Sequence, residues 1–384
     1  MDSLYKTFQF IRDTFNSNEF IALHEPRFIG NERQYVNATI DSTFVSSVGQ
    51  YVTDFEVQLT KITHAKRAIA TVNGTAALHI ALQIAGVQSN DLVITQALTF
   101  IATCNALHMI GAEPVFLDID SESLGLSPTA VANFLESEAE IVGNGQCIYK
   151  KTGQRIAAIV PMHTFGHPVD LDAFVSLSKQ WHIPLVEDAA ESLGSFYKSK
   201  HTGTFGISSA LSFNGNKIIT TGGGGAVLVQ NNELGDLAKH ITTTAKIPHP
   251  YEFVHDTNGY NYRMPNINAA LGVAQLENLD LFLQKKRQLA WQYQEFFKNS
   301  EFTFVQEPSY AQSNYWLNAI VCTDRKHRDE VLKQSGASKI MMRPVWTLMN
   351  KLPMYTHSIC DELTNSHWFE NRIVNIPSSV ITSS

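Results

Sequence analysis

Through the middle of the chain, short unbroken apolar runs alternate with stretches in which apolar residues recur every three or four positions. Residues 67–72, 91–95, 113–118, 156–160, 185–187, 210–213 and 226–229 are the runs, and each predicts a strand. They lack the strict in–out alternation of a half-solvated sheet, so they predict a sheet covered on both faces. The intervening stretches predict helices. One spans 75–85 and is followed by Gly86, where glycine suits the left-handed position past a helix end. Between about residues 65 and 230 this is the rhythm of a mostly parallel α/β sheet sandwiched by helices.

The texture changes after Pro265. Residues 267–277 predict a buried, alanine-rich helix and 279–298 a longer amphipathic one; 302–305 and 316–321 are strand candidates. The expected organisation is a large domain over 1–265, including an N-terminal arm, and a smaller α+β domain over 266–384. Residues 138–154, with three glycines, predict a surface loop or hairpin.

Composition narrows the class. The 384 residues suffice for two lobes, and 44% hydrophobic with 17% charged residues describes a folded soluble protein. A net charge of −7 without any Lys/Arg-rich block argues against nucleic-acid binding. Cys104, Cys147, Cys322 and Cys360 are scattered without CxxC spacing, which suits reduced thiols and a cytoplasmic location. The first residues, with an acid at Asp2, lack the apolar core of a signal peptide. No uncharged stretch of about 18 apolar residues is present to span a membrane.

Lys217 carries the chemistry. It closes Ser212-Phe213-Asn214-Gly215-Asn216-Lys217 and precedes the cluster Gly222 to Gly225. A nucleophilic lysine is best placed at a strand end in a cramped, glycine-lined pocket, where desolvation favours the neutral amine. Asp188, at the end of another predicted strand, could keep a pyridinium nitrogen protonated. A Schiff-base lysine and such an acid are the two parts that pyridoxal phosphate chemistry needs. Asn73-Gly74-Thr75-Ala76 reads as a strand, a glycine turn and a helix start, a place where first-turn N–H groups bind an anion; an ordinary capped helix is the alternative. Phe100 could stack on a flat heterocycle or simply fill the core, and Ser212 could reach a phosphate. His163 has no carboxylate or cysteine at metal spacing and reads as a pocket or structural histidine. Asp188 and Glu191 could instead act as acid and base or bind a metal, although no third ligand lies nearby.

In combination these motifs resemble the DegT/StrS-type sugar-nucleotide aminotransferases, a branch of the fold-type I (aspartate aminotransferase-like) enzymes. The resemblance runs from about Asn31 to Ser379 through Gly74-Thr75-Ala76-Ala77-Leu78, Thr99 to Thr103, Glu187-Asp188-Ala189-Ala190, Ser212 to Lys217 and Gly259 to Met264. It implies a fold-type I α/β fold and pyridoxal 5'-phosphate (PLP, cycling with PMP) as cofactor. On that resemblance Lys217 binds the cofactor covalently and shuttles the proton, and Asp188 pairs with the ring nitrogen. Thr75 and Ser212 hold the phosphate, Phe100 stacks on the ring, and Gly74, Ala76 and Asn214 are further cofactor-binding positions, as is Glu191, near the ring in neutral form or else on the substrate. Asn261 reaches the cofactor phosphate of a neighbouring subunit, which implies a homodimer with shared active sites.

Glu191 stands where many relatives have His or Gln, and the glutamate is similar to a sub-branch making amino sugars for nonulosonic acids and bacillosamine. His24 to Gly30 and Met342 to Trp346 look like that sub-branch too, placing Ser46, Ser47, His163, Arg343 and Trp346 on the substrate side. The implied reaction moves the amino group of L-glutamate to C4 of a UDP-linked 4-keto-6-deoxy-N-acetylhexosamine. Two alternatives are a PMP-dependent sugar dehydratase, whose relatives carry histidine at the position of Lys217, and a non-catalytic sugar sensor, which would be expected to lose Asp188 or Lys217.

Overall fold

The computed structural model describes residues 2–143 and 145–382. The apolar runs form strands at Arg67–Thr71, Leu92–Gln96, Glu113–Leu117, Ile156–Val160, Val186–Asp188, Ser208–Ser212 and Gly225–Val229. Three of them pair in the order Glu113–Leu117, Leu92–Gln96, Ile156–Val160, and the other four in the order Val186–Asp188, Ser208–Ser212, Gly225–Val229, Arg67–Thr71. Main-chain bonds from Ile159 N to Pro184 O (2.9 Å) and from Asp188 N to Pro161 O (3.0 Å) join the two blocks into one sheet. Neighbouring strands run parallel except Gly225–Val229, which is antiparallel to both of its partners. This is the mixed, mostly parallel sheet that the resemblance implies.

Both faces of the sheet are buried, which explains the unbroken runs. Ile69, Val227 and Val229 join one apolar cluster, while their neighbours Ala68, Ala70, Ala226 and Leu228 join another on the opposite face. Successive side chains of a strand point to opposite faces, so a doubly covered strand must be apolar at every position. The helix expected at 75–85 spans Gly74–Ile84, with the Asn73 side chain accepting from Ala76 N as its cap. Gly86 follows it at φ +87°. Residues 139–149 form the predicted hairpin, Ala139–Ile141 against Cys147–Tyr149.

One expected placement holds and one shifts. Asp188 is the last residue of its strand. Lys217 is not at a strand end: the strand stops at Ser212, and a turn, in which Lys217 N donates to Asn214 O (3.0 Å), carries the lysine. Gly215 and Asn216, turn formers both, break the extended run there.

In the C-terminal part, Thr303–Phe304, Asn318–Val321, Ile373–Ile376 and Arg343–Pro344 form an antiparallel sheet in that order. Leu4, Phe8 and Ile11 of the first helix, Asp2–Phe15, pack into one cluster with Leu289, Tyr293, Ile320 and Val374, so the start of the chain lies against its end. Among the described residues, no helix is long and apolar enough to cross a membrane.

Beneath the end of the Val186–Asp188 strand, the fully buried Glu187 carboxylate accepts N–H groups from Gly203 (2.7 Å), Phe205 (2.7 Å) and Gly206 (2.8 Å). It also meets His163 Nε2 at 3.1 Å. Removing it strands three backbone donors, two of them buried, and losing one side of such a network is strongly destabilising. Glu187→Ala should lower the unfolding free energy by about 3–5 kcal/mol in chemical denaturation. Wild-type stability in that variant would show that the loop is held by other contacts.

Candidate active site

The C-terminal ends of the central strands and the helix starts that follow them meet at one cavity. Asp188 is 4% exposed. Its Oδ2 accepts from Thr103 Oγ1 at 2.7 Å and its Oδ1 from Ala190 N at 3.2 Å. Thr103 belongs to the helix Ile101–Ile110, and its hydroxyl lies 3.1 Å from that of Thr99 one turn back. A carboxylate held from two directions has one orientation, with its remaining lone pairs free for a ligand.

Across the cavity, the first turn of the Gly74–Ile84 helix faces the end of the Ser208–Ser212 strand. Gly74 is needed for that approach: a Cβ there would sit 2.7 Å from Ser212 Cβ and 2.9 Å from its Oγ. A Cβ on Gly225, just behind, would lie 2.4 Å from Asn73 O. With Asn73 capping Ala76 N, the remaining first-turn N–H groups, the Thr75 hydroxyl and the Ser212 hydroxyl concentrate donors at the positive end of the helix dipole. Such a cradle fits a phosphate.

Lys217 Nζ, on a side chain only 13% exposed, lies 3.5 Å from Glu191 Oε1 and 3.9 Å from the centroid of the Trp316 ring. Trp316 is fixed on three sides. Its ring N–H donates to Asn216 O (2.6 Å), its backbone N–H to Asn314 Oδ1 (2.7 Å), and its carbonyl accepts from Lys286 Nζ (2.9 Å). Glu191 Oε2 accepts the Phe165 N–H at 2.9 Å. Burial pushes the Glu191 carboxyl up to about 7, against the opposing pull of Lys217 and the Phe165 amide and with a further push from Asp188. Phe100 and Trp346, ring centroids 6.2 Å apart, stand on the remaining side.

The enclosed volume is about 340 Å³. Gly74, Thr75, Phe100, Asp188, Glu191, Ser212, Asn214, Lys217 and Trp346 all line it. A lysine amine, a pinned carboxylate, an aromatic wall and a phosphate cradle around one space fit a flat, phosphorylated heterocycle carrying an electrophilic carbon. Ala76 contributes its backbone N–H to the Asn73 cap and is not on the lining.

Other expected site residues lie elsewhere. His163 is fully buried, with one ring nitrogen on Glu187 and the other accepting from Val169 N, so it braces the sheet and does not line the cavity. Ser46 accepts Asn266 N through its carbonyl at 2.6 Å, and neither Ser46 nor Ser47 is on the lining. Arg343 is exposed on an edge strand, paired with Asn375. Asn261 is exposed, its Oδ1 accepting from Arg263 Nε at 3.0 Å. Sequence reasoning missed Trp316, Asn216 and Thr103. Thr103 had a signal in the Thr99–Thr103 spacing of one helical turn; Trp316 had none, because only the tertiary fold carries it to Lys217.

A family profile described as the DegT/DnrJ/EryC1/StrS aminotransferase family matches residues 26–384. The chain is 36% identical to the GDP-perosamine synthase of Escherichia coli O157:H7, over 94% of this chain and 93% of that protein. Among solved structures it is similar to Helicobacter pylori PseC, an aminotransferase involved in the biosynthesis of pseudoaminic acid, at a TM-score of 0.83 and 23% identity over 94% of both chains. It is similar also to Streptococcus pneumoniae Spr1654 in a PLP form, at a TM-score of 0.83 and 21% identity over 95% of both chains.

Gly74→Ala tests the cradle without touching a charged group. The added methyl must push the helix start from Ser212, and the variant should bind PLP at least about tenfold more weakly by equilibrium dialysis, as one disturbed charge-assisted contact implies. Unchanged affinity would place the phosphate elsewhere.

Proposed function

Because the chain belongs to the DegT/DnrJ/EryC1/StrS aminotransferase family, we propose that it moves the amino group of L-glutamate to C4 of a nucleotide-linked 4-keto-6-deoxy-N-acetylhexosamine carried on UDP. The observation that carries the transamination half is the meeting of Lys217, Asp188 and the Gly74 cradle around one cavity. The family's cofactor is PLP, which supplies an electron sink for the carbon that gains or loses the amino group.

This chain's residues divide the remaining work. Lys217 would attach the cofactor and, once free, would carry a proton between donor carbon and cofactor carbon. Asp188, fixed by Thr103 and the Ala190 amide, would keep a proton on the ring nitrogen. Thr75, Ser212 and the first-turn amides would hold the phosphate, and Phe100 would cover the ring. Trp316 and Glu191 hem in the Lys217 nitrogen and exclude water from one side of it.

The UDP-N-acetylhexosamine assignment is supported by Glu191 and by the segments 24–30 and 342–346. A second reading, a GDP-linked sugar, is favoured by the relative named GDP-perosamine synthase. Purified protein given glutamate and a panel of UDP-, GDP- and dTDP-linked 4-keto-6-deoxy sugars separates them. The UDP-N-acetyl sugar should exceed the others by at least about tenfold in kcat/KM, a difference of about 1.4 kcal/mol. A GDP sugar in first place would install the second reading. Lys217→Ala should leave no turnover with any of them, and Asp188→Asn should lose roughly two decades of rate.

The same proposal makes the working unit a homodimer. Tyr251 and Phe253 are 79% and 80% exposed on the segment preceding Asn261, and large apolar side chains so displayed suit burial against a second copy. Asn261 would then serve the cofactor phosphate of the partner. Inactive Lys217→Ala chains mixed with inactive Asn261→Asp chains should regain activity on subunit exchange, because one of the two mixed sites combines an intact lysine with an intact asparagine. No recovery after verified exchange would mean that Asn261 serves only its own chain.

A further inference from the structure

Glu191 is 3% exposed, yet its carboxylate has one fixed donor, the Phe165 N–H at 2.9 Å on Oε2. Phe165 is held for that bond at φ +57°, in the left-handed region. The other oxygen, Oε1, meets Lys217 Nζ at 3.5 Å. The titratable groups facing Glu191 are Lys217, whose cation favours the carboxylate, and Asp188, whose charge opposes it. Its backbone carbonyl is tied to Asn314 Nδ2 at 2.9 Å, so the residue is anchored at both ends.

A buried carboxylate needs its counter-charge. While the Lys217 nitrogen is a free ammonium, Glu191 has one. When that nitrogen becomes neutral in order to form a bond, the carboxylate is left unpaired beside Asp188. We propose that Glu191 is the proton partner of Lys217, accepting the proton that the lysine sheds when its nitrogen is engaged, holding it while the freed amine shuttles a proton between the two carbons, and returning it once that transfer is complete. In this step one N–H bond of the ammonium breaks, one O–H bond forms on Oε1, and the freed electron pair stays on nitrogen. The pair carries zero net charge before and after, so no net charge is buried at either stage. Burial already brings the two protonation states of Glu191 close together near neutrality. The 3.5 Å separation is the long end of hydrogen-bond distance, and catalytic contacts commonly tighten on loading. Glutamine or histidine in this position could hydrogen-bond a ligand; only the carboxyl takes a proton and becomes neutral.

The inference rests on Lys217 as the nucleophile, but its test needs no sugar and so is separate from the choice of substrate. Cofactor-free protein is mixed with PLP at neutral pH and followed by difference infrared spectroscopy for the stretch of a protonated carboxyl group. Wild type should gain this band on loading and lose it once glutamate has carried the protein through the half-reaction that leaves Lys217 free. Glu191→Gln, which keeps an acceptor for Phe165, should show no such change. In Lys217→Ala the band should be present before any PLP is added, and the carbon-13 titration midpoint of Glu191 should lie about one pH unit or more above wild type, since the counter-charge is gone. A wild-type spectrum without a new carboxyl band, the same band in Glu191→Gln, or a midpoint unmoved in Lys217→Ala would each overturn the proposal. The titration reads wild-type and Lys217→Ala protein alone, so it decides even if Glu191→Gln folds poorly.

Discussion

The site depends on how closely the first turn of the Gly74–Ile84 helix approaches the end of the Ser208–Ser212 strand. Only a residue without Cβ fits between Asn73 and Ser212, since any added carbon would stand 2.7 Å from Ser212 Cβ. That contact aims the helix dipole and its free N–H groups at the cavity, and it sets the distance to the turn that carries Lys217. The antiparallel strand Gly225–Val229 lies directly behind, pressed against Asn73 through Gly225 in the same way. Two glycines thus set where a phosphate would rest on the proposed reading, and so where the reactive carbon of its ring would lie relative to the lysine.

Charge inside the cavity is handled by pairing and by burial. Glu191 and Lys217 compensate one another across 3.5 Å. Behind them Lys286 has backbone carbonyls as partners, including that of Trp316, and burial holds its amine well below the usual lysine range. His24 is likewise pulled down, by burial first and then by Lys286, Lys217 and Arg27, and neither ring nitrogen has a hydrogen-bond partner. Of these basic groups, Lys217 is the one whose nitrogen reaches Glu191, at 3.5 Å.

Much of this was legible in the chain because a doubly covered sheet writes itself as unbroken apolar runs, and helix starts write themselves as Asn73-Gly74-Thr75. Asp188 could be placed because its strand delivers it to the edge where the helices begin. Lys217 was recognisable by its neighbours but misplaced by geometry: Gly215 and Asn216 bend the chain after Ser212, which an extended reading of the run overlooks. His163 could be read as a pocket or a structural histidine; the parallel alignment that sets Met162 beside Asp188 brings Glu187 under its ring and makes it the structural one. Trp316 was invisible as a site residue, since its role comes from the C-terminal part folding back over the lysine. Ser46, Arg343 and Asn261 are exposed and Ser47 half-buried, none of them on the lining of the cavity in their own chain.

The central claim is that one lysine, Lys217, bonds the cofactor in the cavity closed by Trp316 and Glu191. Reduction of PLP-loaded wild-type protein with borohydride fixes that bond, and proteolysis with mass spectrometry then locates it. The account predicts a single phosphopyridoxyl group, on the peptide containing Ser212 to Lys217 and on Lys217 itself. Label on another lysine, the buried Lys286 above all, or no fixed label in a protein that binds PLP, would contradict it.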